Sequence, residues 1–184
     1  MVIAELLHDP LVHVASVGVL SLLLGAAALH KLHEPRAFAD VLQRYAQVLG
    51  AWCAAPVWRY ALPMLEVLGA AGLLLGLWWP WAALPAVCLL VLYAGVLALA
   101  VRQGSAIEDC GCHFGGRPQP PAPALAWRNL LLALLACNLL APMAERPLTW
   151  LDGFTLVFVF VSAAAVYLLA NLLISNRASL RQRP

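Results

Sequence analysis

The sequence predicts an all-α, polytopic membrane protein, a helical bundle of about five transmembrane helices with one interfacial amphipathic helix. The chain of 184 residues is 64% hydrophobic and only 11% charged, whereas soluble globular chains carry roughly 25% charged residues. Its mean hydropathy is +0.85, and several apolar stretches approach the ~20 residues that a helix needs to cross a bilayer. We therefore expect a single integral-membrane domain in contact with a lipid bilayer.

Five apolar stretches give the predicted spans, which cover residues 11–32, 62–79, 82–101, 125–143 and 154–174. We place Pro63 in the first turn of the second span, where proline is tolerated. Between the first two spans, residues 36–50 repeat apolar side chains at spacings of three and four, which is typical of an amphipathic helix. This segment is too short to span, so we expect it to lie along the interface.

The tryptophans and basic residues favour one orientation. All seven tryptophans fall at predicted span ends or in connecting segments, as aromatic belts require. With the N-terminus outside, every basic residue except Arg146 would lie on the cytoplasmic side, as the positive-inside rule expects. No basic patch is interleaved with aromatic residues, so we expect no nucleic-acid binding.

The loop at residues 103–124 contains the sequence Cys110-Gly111-Cys112, and this loop is predicted on the cytoplasmic side. Glycine between the cysteines permits the unusual backbone angles of a tight ring. A disulfide across so short a loop would be strained, and therefore oxidising rather than structural. We interpret Cys110 and Cys112 as a candidate thiol–disulfide exchange pair, the alternative being two ordinary free thiols. The adjacent Glu108 and Asp109 disfavour the thiolate, whereas a nearby arginine or a helix start would favour it.

Soft-metal binding is a second interpretation of the same loop. Cys110, Cys112 and His113 are near one another in sequence, and His30 and His33 on the same predicted side could complete a zinc or copper(I) site. The spacing is not a standard zinc spacing, so we assign no metal ligands.

Glu66 and Lys31 form the second candidate site. Glu66 is placed about one turn inside the second span, where an acidic side chain is costly and usually functional. Lys31 ends the first span on the same side of the membrane. We expect a Lys31–Glu66 ion pair or a proton relay beside the thiols. The alternative is that Glu66 interacts with the positive end of its helix and reaches water.

Three further cysteines receive simpler interpretations. Cys88 and Cys137 lie inside the third and fourth spans, and we expect them to be buried as small apolar residues. Cys53, in the connection after the amphipathic helix, could reach the Cys110 loop as a resolving thiol.

Several of these landmarks together resemble the MauE family within the wider DoxX-like group. The residues that carry the resemblance are Leu29-His30-Lys31-Leu32, Pro35, Phe38, Tyr45, Leu62-Pro63-Met64-Leu65-Glu66, Asp109-Cys110-Gly111-Cys112 and Trp127-Arg128-Asn129. One departure is His113, which stands between Cys112 and the Phe114-Gly115 that would follow directly in the family pattern. The resemblance covers nearly the whole chain.

The resemblance implies a multi-pass protein of the bacterial inner membrane that serves the maturation of methylamine dehydrogenase. That enzyme is periplasmic, and its beta subunit is rich in disulfides. A thioredoxin-fold protein, MauD, is the partner that the resemblance implies. Cys110 and Cys112 would exchange disulfides with it, supported by Glu66 and Lys31. A non-enzymatic scaffold and a soft-metal handling protein are the alternatives. No cofactor is predicted, and a quinone site is left open.

Overall fold

The computed structural model describes residues 7–103, 122–144 and 146–162, together with Ala165 and Leu169. Across these residues all regular secondary structure is helical, which confirms the predicted all-α class. Cys110, Cys112 and His113 lie outside the described residues, so the predicted exchange pair and the soft-metal site stay sequence-based predictions.

The first two helices meet at a proline. Helix α1 runs from Pro10 to His33 and is capped by Asp9, whose side chain accepts a hydrogen bond of 2.8 Å from the Leu11 N–H. Helix α2 covers Pro35–Leu49 and begins with its proline, which suits a first helical position because that N–H has no partner in the helix. The amphipathic segment is thus a helix, as predicted.

Gly50 ends helix α2 and turns the chain toward the next span. Its φ of +114° lies in a region that L side chains rarely adopt, so glycine is favoured there. A short 3₁₀ helix, Ala51–Ala54, follows and leads into helix α3, Trp58–Leu75. A second 3₁₀ helix, Pro80–Ala83, then precedes helix α4, Leu84–Arg102.

Two further helices follow the Cys-Gly-Cys segment in sequence. Helix α5 covers Ala122–Asn138, and helix α6 covers Trp150–Ser162. By length and composition, three helices in the described part of the chain could cross a membrane: α1, α3, and α4 with its preceding 3₁₀ turn. The apolar parts of α5 and α6 are shorter, so the count of five spans remains a prediction.

Helices α1, α3, α4 and α5 pack together around one apolar core. The buried side chains of this core are Val17, Leu20, Leu24, Leu73, Ala83, Ala86, Val87, Leu89, Leu90, Ala133, Ala136 and Leu139. Many large apolar side chains outside it are exposed, such as Leu22 at 67% and Phe158 at 67%. Such a surface suits contact with lipid better than contact with water, as expected of a membrane protein.

A second core forms where the amphipathic helix meets the bundle. Phe38, Val41 and Tyr45 of α2 pack with Cys53, Leu97, Ala100 and Leu125. The apolar face of α2 is therefore covered by protein, namely by the 3₁₀ helix that follows it and by residues of α4 and α5. This packing fixes α2 beside the end of α1, where Lys31 lies.

Small residues allow close approach between helices. A Cβ at Gly72 of α3 would collide with the backbone carbonyl oxygen of Ala82, and a Cβ at Gly69 would lie 3.4 Å from the Ala86 Cα. Phe160 of α6 packs over Gly18 of α1, within 2.5 Å of an added Cβ. Gly18 thus allows a close contact between α1 and α6, whereas Gly25 has no neighbour that an added Cβ would meet among the described residues.

The end of the bundle opposite Lys31 is held by polar contacts. Arg146 bridges Asp9 at 3.1 Å and Asp152 at 3.0 Å. Nearby, the Asn138 side chain donates to the Leu7 carbonyl at 2.9 Å, and the Ala144 N–H donates to the His8 carbonyl at 2.9 Å. These bonds tie the start of α1 to the connection between α5 and α6.

Candidate functional site

Lys31 of α1 and Glu66 of α3 form a buried ion pair inside the bundle. The ammonium Nζ of Lys31 donates to Glu66 Oε1, and the side chains are 2% and 0% exposed. Glu66 is among the largest fully buried side chains in the described part of the chain. A charged pair at this depth is costly to desolvate, which makes it a functional candidate in a membrane span.

Tyr93 of α4 completes the polar cluster. Its hydroxyl donates to Glu66 Oε1 at 2.8 Å, and Lys31 Nζ donates to the same hydroxyl at 3.4 Å. The Lys31 ammonium also lies 5.3 Å from the Phe38 ring centroid and 5.1 Å from the Tyr93 ring centroid, within cation–π range. Four helices therefore meet at this one charge, because Phe38 belongs to α2.

The predicted position of Glu66 near a helix start is wrong. Helix α3 begins at Trp58, which places Pro63 inside the helix and Glu66 about two turns from the start. The carboxylate therefore neither caps its helix nor reaches water, and it pairs with Lys31 instead. Pro63 has no N–H to donate to the preceding turn and is itself fully buried beside this site.

The second carboxylate oxygen of Glu66 marks the site further. Oε2 is buried and finds no hydrogen-bond donor among the described residues. Buried polar atoms without a partner are uncommon in folded proteins. Glu66 therefore carries more polar capacity than the ion pair and Tyr93 use, which a purely structural pair would not need.

An aromatic cavity of about 150 Å³ adjoins this cluster. Lys31 is its charged wall, and Cys53 and several aliphatic side chains contribute to the remainder. Its aromatic walls come from α2, the 3₁₀ helix after it, α3 and α4, and they are Phe38, Tyr45, Trp52, Trp58 and Tyr93.

A polar cavity of about 160 Å³ lies on the other side of Lys31, between the end of α1 and α2. Its charged lining is Lys31, Glu34, Asp40 and Arg44. Lys31, Phe38 and Val41 line both cavities. Lys31 thus borders both an aromatic space and a charged one.

The described cysteines differ from the predicted picture. Cys88 and Cys137 are exposed on the outside of the bundle, so the prediction that they are buried is wrong. Cys53 is buried, and burial raises the pKa of its thiol, which disfavours the nucleophilic thiolate. The resolving role of Cys53 stays a prediction, because Cys110 lies outside the described residues.

Metal-binding side chains do not cluster within the described ranges: no group of three or more His, Cys, Asp or Glu residues could hold an ion there. His33, one of the suggested soft-metal ligands, directs its Nδ1 to the Leu29 carbonyl of its own helix at 3.1 Å.

Sequence reasoning missed Tyr93 and the cavity beside it. The available signal was a tyrosine in the middle of an apolar span, away from the interface where such rings usually lie. A tyrosine hydroxyl inside an apolar span needs a hydrogen-bond partner, and for the half-buried Tyr93 that partner is Glu66.

Comparison with known proteins agrees with the arrangement of these landmarks. The profile of the family described as "Methylamine utilisation protein MauE" matches residues 9–142. The chain belongs to the MauE family. The segment of this chain that matches the MauE family contains Lys31, Glu66 and Tyr93, as well as Cys110 and Cys112.

Curated relatives extend the MauE match over most of the chain. The "Methylamine utilization protein MauE" of Paracoccus denitrificans is 35% identical over 92% of this chain and 91% of its own length. The protein of the same name from Methylorubrum extorquens is 34% identical over 91% of this chain and 88% of its own. That of Paracoccus versutus is 33% identical over 78% and 76%. No solved structure matches the chain.

Proposed function

We propose that this chain is a thiol–disulfide exchange component of the bacterial inner membrane that serves the maturation of methylamine dehydrogenase. The names of its relatives place them in methylamine utilisation. The observation that carries the proposal is that one matched segment, residues 9–142, holds both a vicinal thiol pair and a buried ion pair. The first supplies exchange chemistry, and the second is costly without a functional reason.

The exchange proceeds through a mixed disulfide. A thiolate of a partner attacks one sulfur of the Cys110–Cys112 disulfide, and the other sulfur leaves as a thiolate. A second thiolate of the partner then attacks the mixed disulfide, so that the partner leaves oxidised and Cys110 and Cys112 are left as a dithiol. When the same steps run in reverse, the disulfide of the partner is reduced and Cys110 and Cys112 become a disulfide.

The partners follow from the same proposal. A thioredoxin-fold protein of the MauD type exchanges disulfides with Cys110 and Cys112. The disulfide-rich beta subunit of methylamine dehydrogenase is the final substrate of this exchange. The chain itself crosses the membrane about five times, and the side from which the cysteine pair is reached is left open. Lys31, Glu66 and Tyr93 join α1, α3 and α4 through their hydrogen bonds.

The test uses single-cysteine variants in a methylamine-grown host. Cys112→Ser is expected to accumulate a mixed disulfide with a thioredoxin-fold partner, visible as a reductant-sensitive band, and to abolish active methylamine dehydrogenase. Cys88→Ser, on the exposed surface of α4, is the matched control and should leave maturation intact. Normal maturation in Cys110→Ser/Cys112→Ser would contradict the exchange role and favour a scaffold.

A further inference from the structure

We propose that a groove between α4 and α5 binds an anionic phospholipid of the membrane. The groove has a volume of about 530 Å³, and residues of both helices line it. A phospholipid joins a charged phosphate to apolar chains, and the groove has one part that suits each of them. The proposal does not depend on the thiol exchange proposed above.

The apolar part of the groove is about as long as one leaflet of a bilayer. Four lining residues of α4 recur at spacings of four, three and four, namely Val91, Gly95, Ala98 and Arg102. Residues at these spacings lie on one face of a helix. From Val91 to Arg102 this face extends ~16 Å along the helix axis, about half of the ~30 Å hydrocarbon thickness of a bilayer. An acyl chain therefore fits along it.

Small residues leave this groove open. An added Cβ at Gly95 meets no atom within 4 Å among the described residues, and Ala98 adds only a methyl group to the wall. Small residues in membrane helices usually let a second helix approach closely. Here no helix of the described ranges fills the space beside Gly95, and Val91 at the far end is 50% exposed. The apolar wall is therefore accessible from the lipid.

Two hydrogen-bond donors line the groove at one end. Arg102 is the last residue of α4, and Trp127 lies in the second turn of α5. The end of α4 is next to the start of α5, because Leu97 and Ala100 pack with Leu125. Within the described part of the chain, neither the Arg102 guanidinium nor the Trp127 indole N–H has a hydrogen-bond or ion-pair partner.

These donors suit a phosphate group. A guanidinium binds phosphate oxygens through paired, charge-assisted hydrogen bonds, and an indole N–H only donates. Trp127 is 65% exposed, and tryptophan is typical of the headgroup level of a membrane. The positive charge of Arg102 favours a headgroup with net negative charge, because choline would bring a second cation beside it. One arginine near the membrane surface predicts a preference of about fivefold.

The experiment releases the full chain from lipid nanodiscs that contain equal amounts of phosphatidylglycerol and phosphatidylcholine. Native mass spectrometry then identifies the lipid that stays bound, and we expect phosphatidylglycerol to be favoured about fivefold. Arg102→Gln should bring this ratio close to one. Arg36→Gln is the matched control, since it removes the same charge from an exposed position of α2 and should keep the wild-type ratio.

A second pair of variants tests the apolar part of the groove. Gly95→Leu places a side chain in the space beside Gly95 and should largely abolish lipid retention. Gly25→Leu adds the same side chain on α1, where an added Cβ also meets no atom within 4 Å among the described residues. This control should retain lipid as the wild type does. Thermal unfolding in detergent verifies that both variants are folded.

Equal retention of the two lipids by the wild-type chain would overturn the proposal, and this comparison needs no substitution. The wild-type ratio in Arg102→Gln or wild-type retention in Gly95→Leu would overturn it as well. Displacement of the lipid by soluble glycerol phosphate would show that the groove does not hold the acyl chain. A lipid-free dimer in the mass spectrum would show that a second copy of the chain covers the groove instead.

Discussion

The Lys31–Glu66 pair is the residue-scale feature on which the site depends. Each charge alone would cost several kcal/mol to remove from water, and mutual attraction repays this only when geometry and additional hydrogen bonds are good. Here Tyr93 supplies one such bond, and the Phe38 and Tyr93 rings surround the ammonium. The pair is therefore tolerated because two further helices, α2 and α4, provide its environment.

Single and double substitutions should differ sharply at this pair. Lys31→Met leaves the Glu66 carboxylate buried and unpaired, and we expect it to lower the free energy of unfolding by about 3–5 kcal/mol. Lys31→Met/Glu66→Gln removes both charges and should cost much less than Lys31→Met alone. Thermal unfolding in detergent measures both variants together with Glu66→Gln, which closes a double-mutant cycle.

Additive losses in this cycle would contradict direct pairing. Tyr60→Phe serves as the control, because Tyr60 lies on the same helix as Glu66 and is 60% exposed. Its stability should match that of the wild type.

At the scale of elements, local signals predicted where helices lie, and the packing between them could not be predicted. The amphipathic helix was placed at residues 36–50 and is observed at Pro35–Leu49, because a proline begins it and a glycine with positive φ ends it. Its apolar face packs against Leu97 and Ala100 of α4 and Leu125 of α5, which are distant in sequence. An isolated helical pattern cannot show these neighbours.

The start of α3 shows how Pro63 led to a wrong prediction of the helix boundary. Proline suits the first turn of a helix and disrupts an interior, so Pro63 predicted a helix start. In the structure Trp58–Tyr60 already form the first turn. With the helix start at Pro63, Glu66 would lie close enough to the membrane surface to interact with the helix end and reach water. The sequence also predicts the ion pair with Lys31, because both residues lie on the same predicted side.

Gly72→Ala should destabilise the contact between α3 and the turn before α4. The added Cβ would collide with the backbone carbonyl of Ala82, which cannot move as a side chain end can. We expect a loss of about 1–3 kcal/mol, as for overpacking in a filled interior, measured by thermal unfolding.

Gly25→Ala is the matched control for this substitution. An added Cβ at Gly25 meets no atom within 4 Å among the described residues, and alanine favours helix over glycine by up to ~1 kcal/mol. Its stability should equal or exceed that of the wild type. Equal effects of the two substitutions would contradict the close approach at Gly72.

At the scale of the whole molecule, the two ends of the bundle differ in kind. One end carries the ion pair and the two cavities. The other is closed by Arg146, which joins Asp9 before α1 to Asp152 in α6. Arg146 is also the basic residue that is predicted to lie on the outer side of the membrane. Its ion pairs with Asp9 and Asp152 give it a structural role at this end of the bundle.

The Arg146 bridge should make stability depend on acid. Hydrogen bonds from Arg146 and Thr149 lower the pKa of Asp152 from 3.8 to about 2, and the Arg146 side chain lowers that of Asp9 as well. A carboxyl whose pKa is lower when folded stabilises the fold above its unfolded value, and this contribution is lost as the pH falls through the folded value. Unfolding temperature should therefore fall between about pH 4 and pH 2.

Asp152→Asn should flatten this acid dependence, since the substituted side chain no longer titrates. The thermal unfolding curve of the variant, recorded at several pH values beside the wild type, measures the difference. An unchanged slope in Asp152→Asn would show that other carboxyls cause the acid loss.

The central claim is that Cys110 and Cys112 switch between a dithiol and a disulfide, and differential alkylation in intact cells tests it most directly. Thiols are blocked, disulfides are then reduced and labelled with a second reagent, and the mass of each cysteine-containing peptide is read. We predict that both cysteines carry the second label in part of the population, and that brief reductant treatment of the cells removes it. If the peptides that contain Cys110 and Cys112 carry only the first label while methylamine dehydrogenase is being matured, the claim is contradicted.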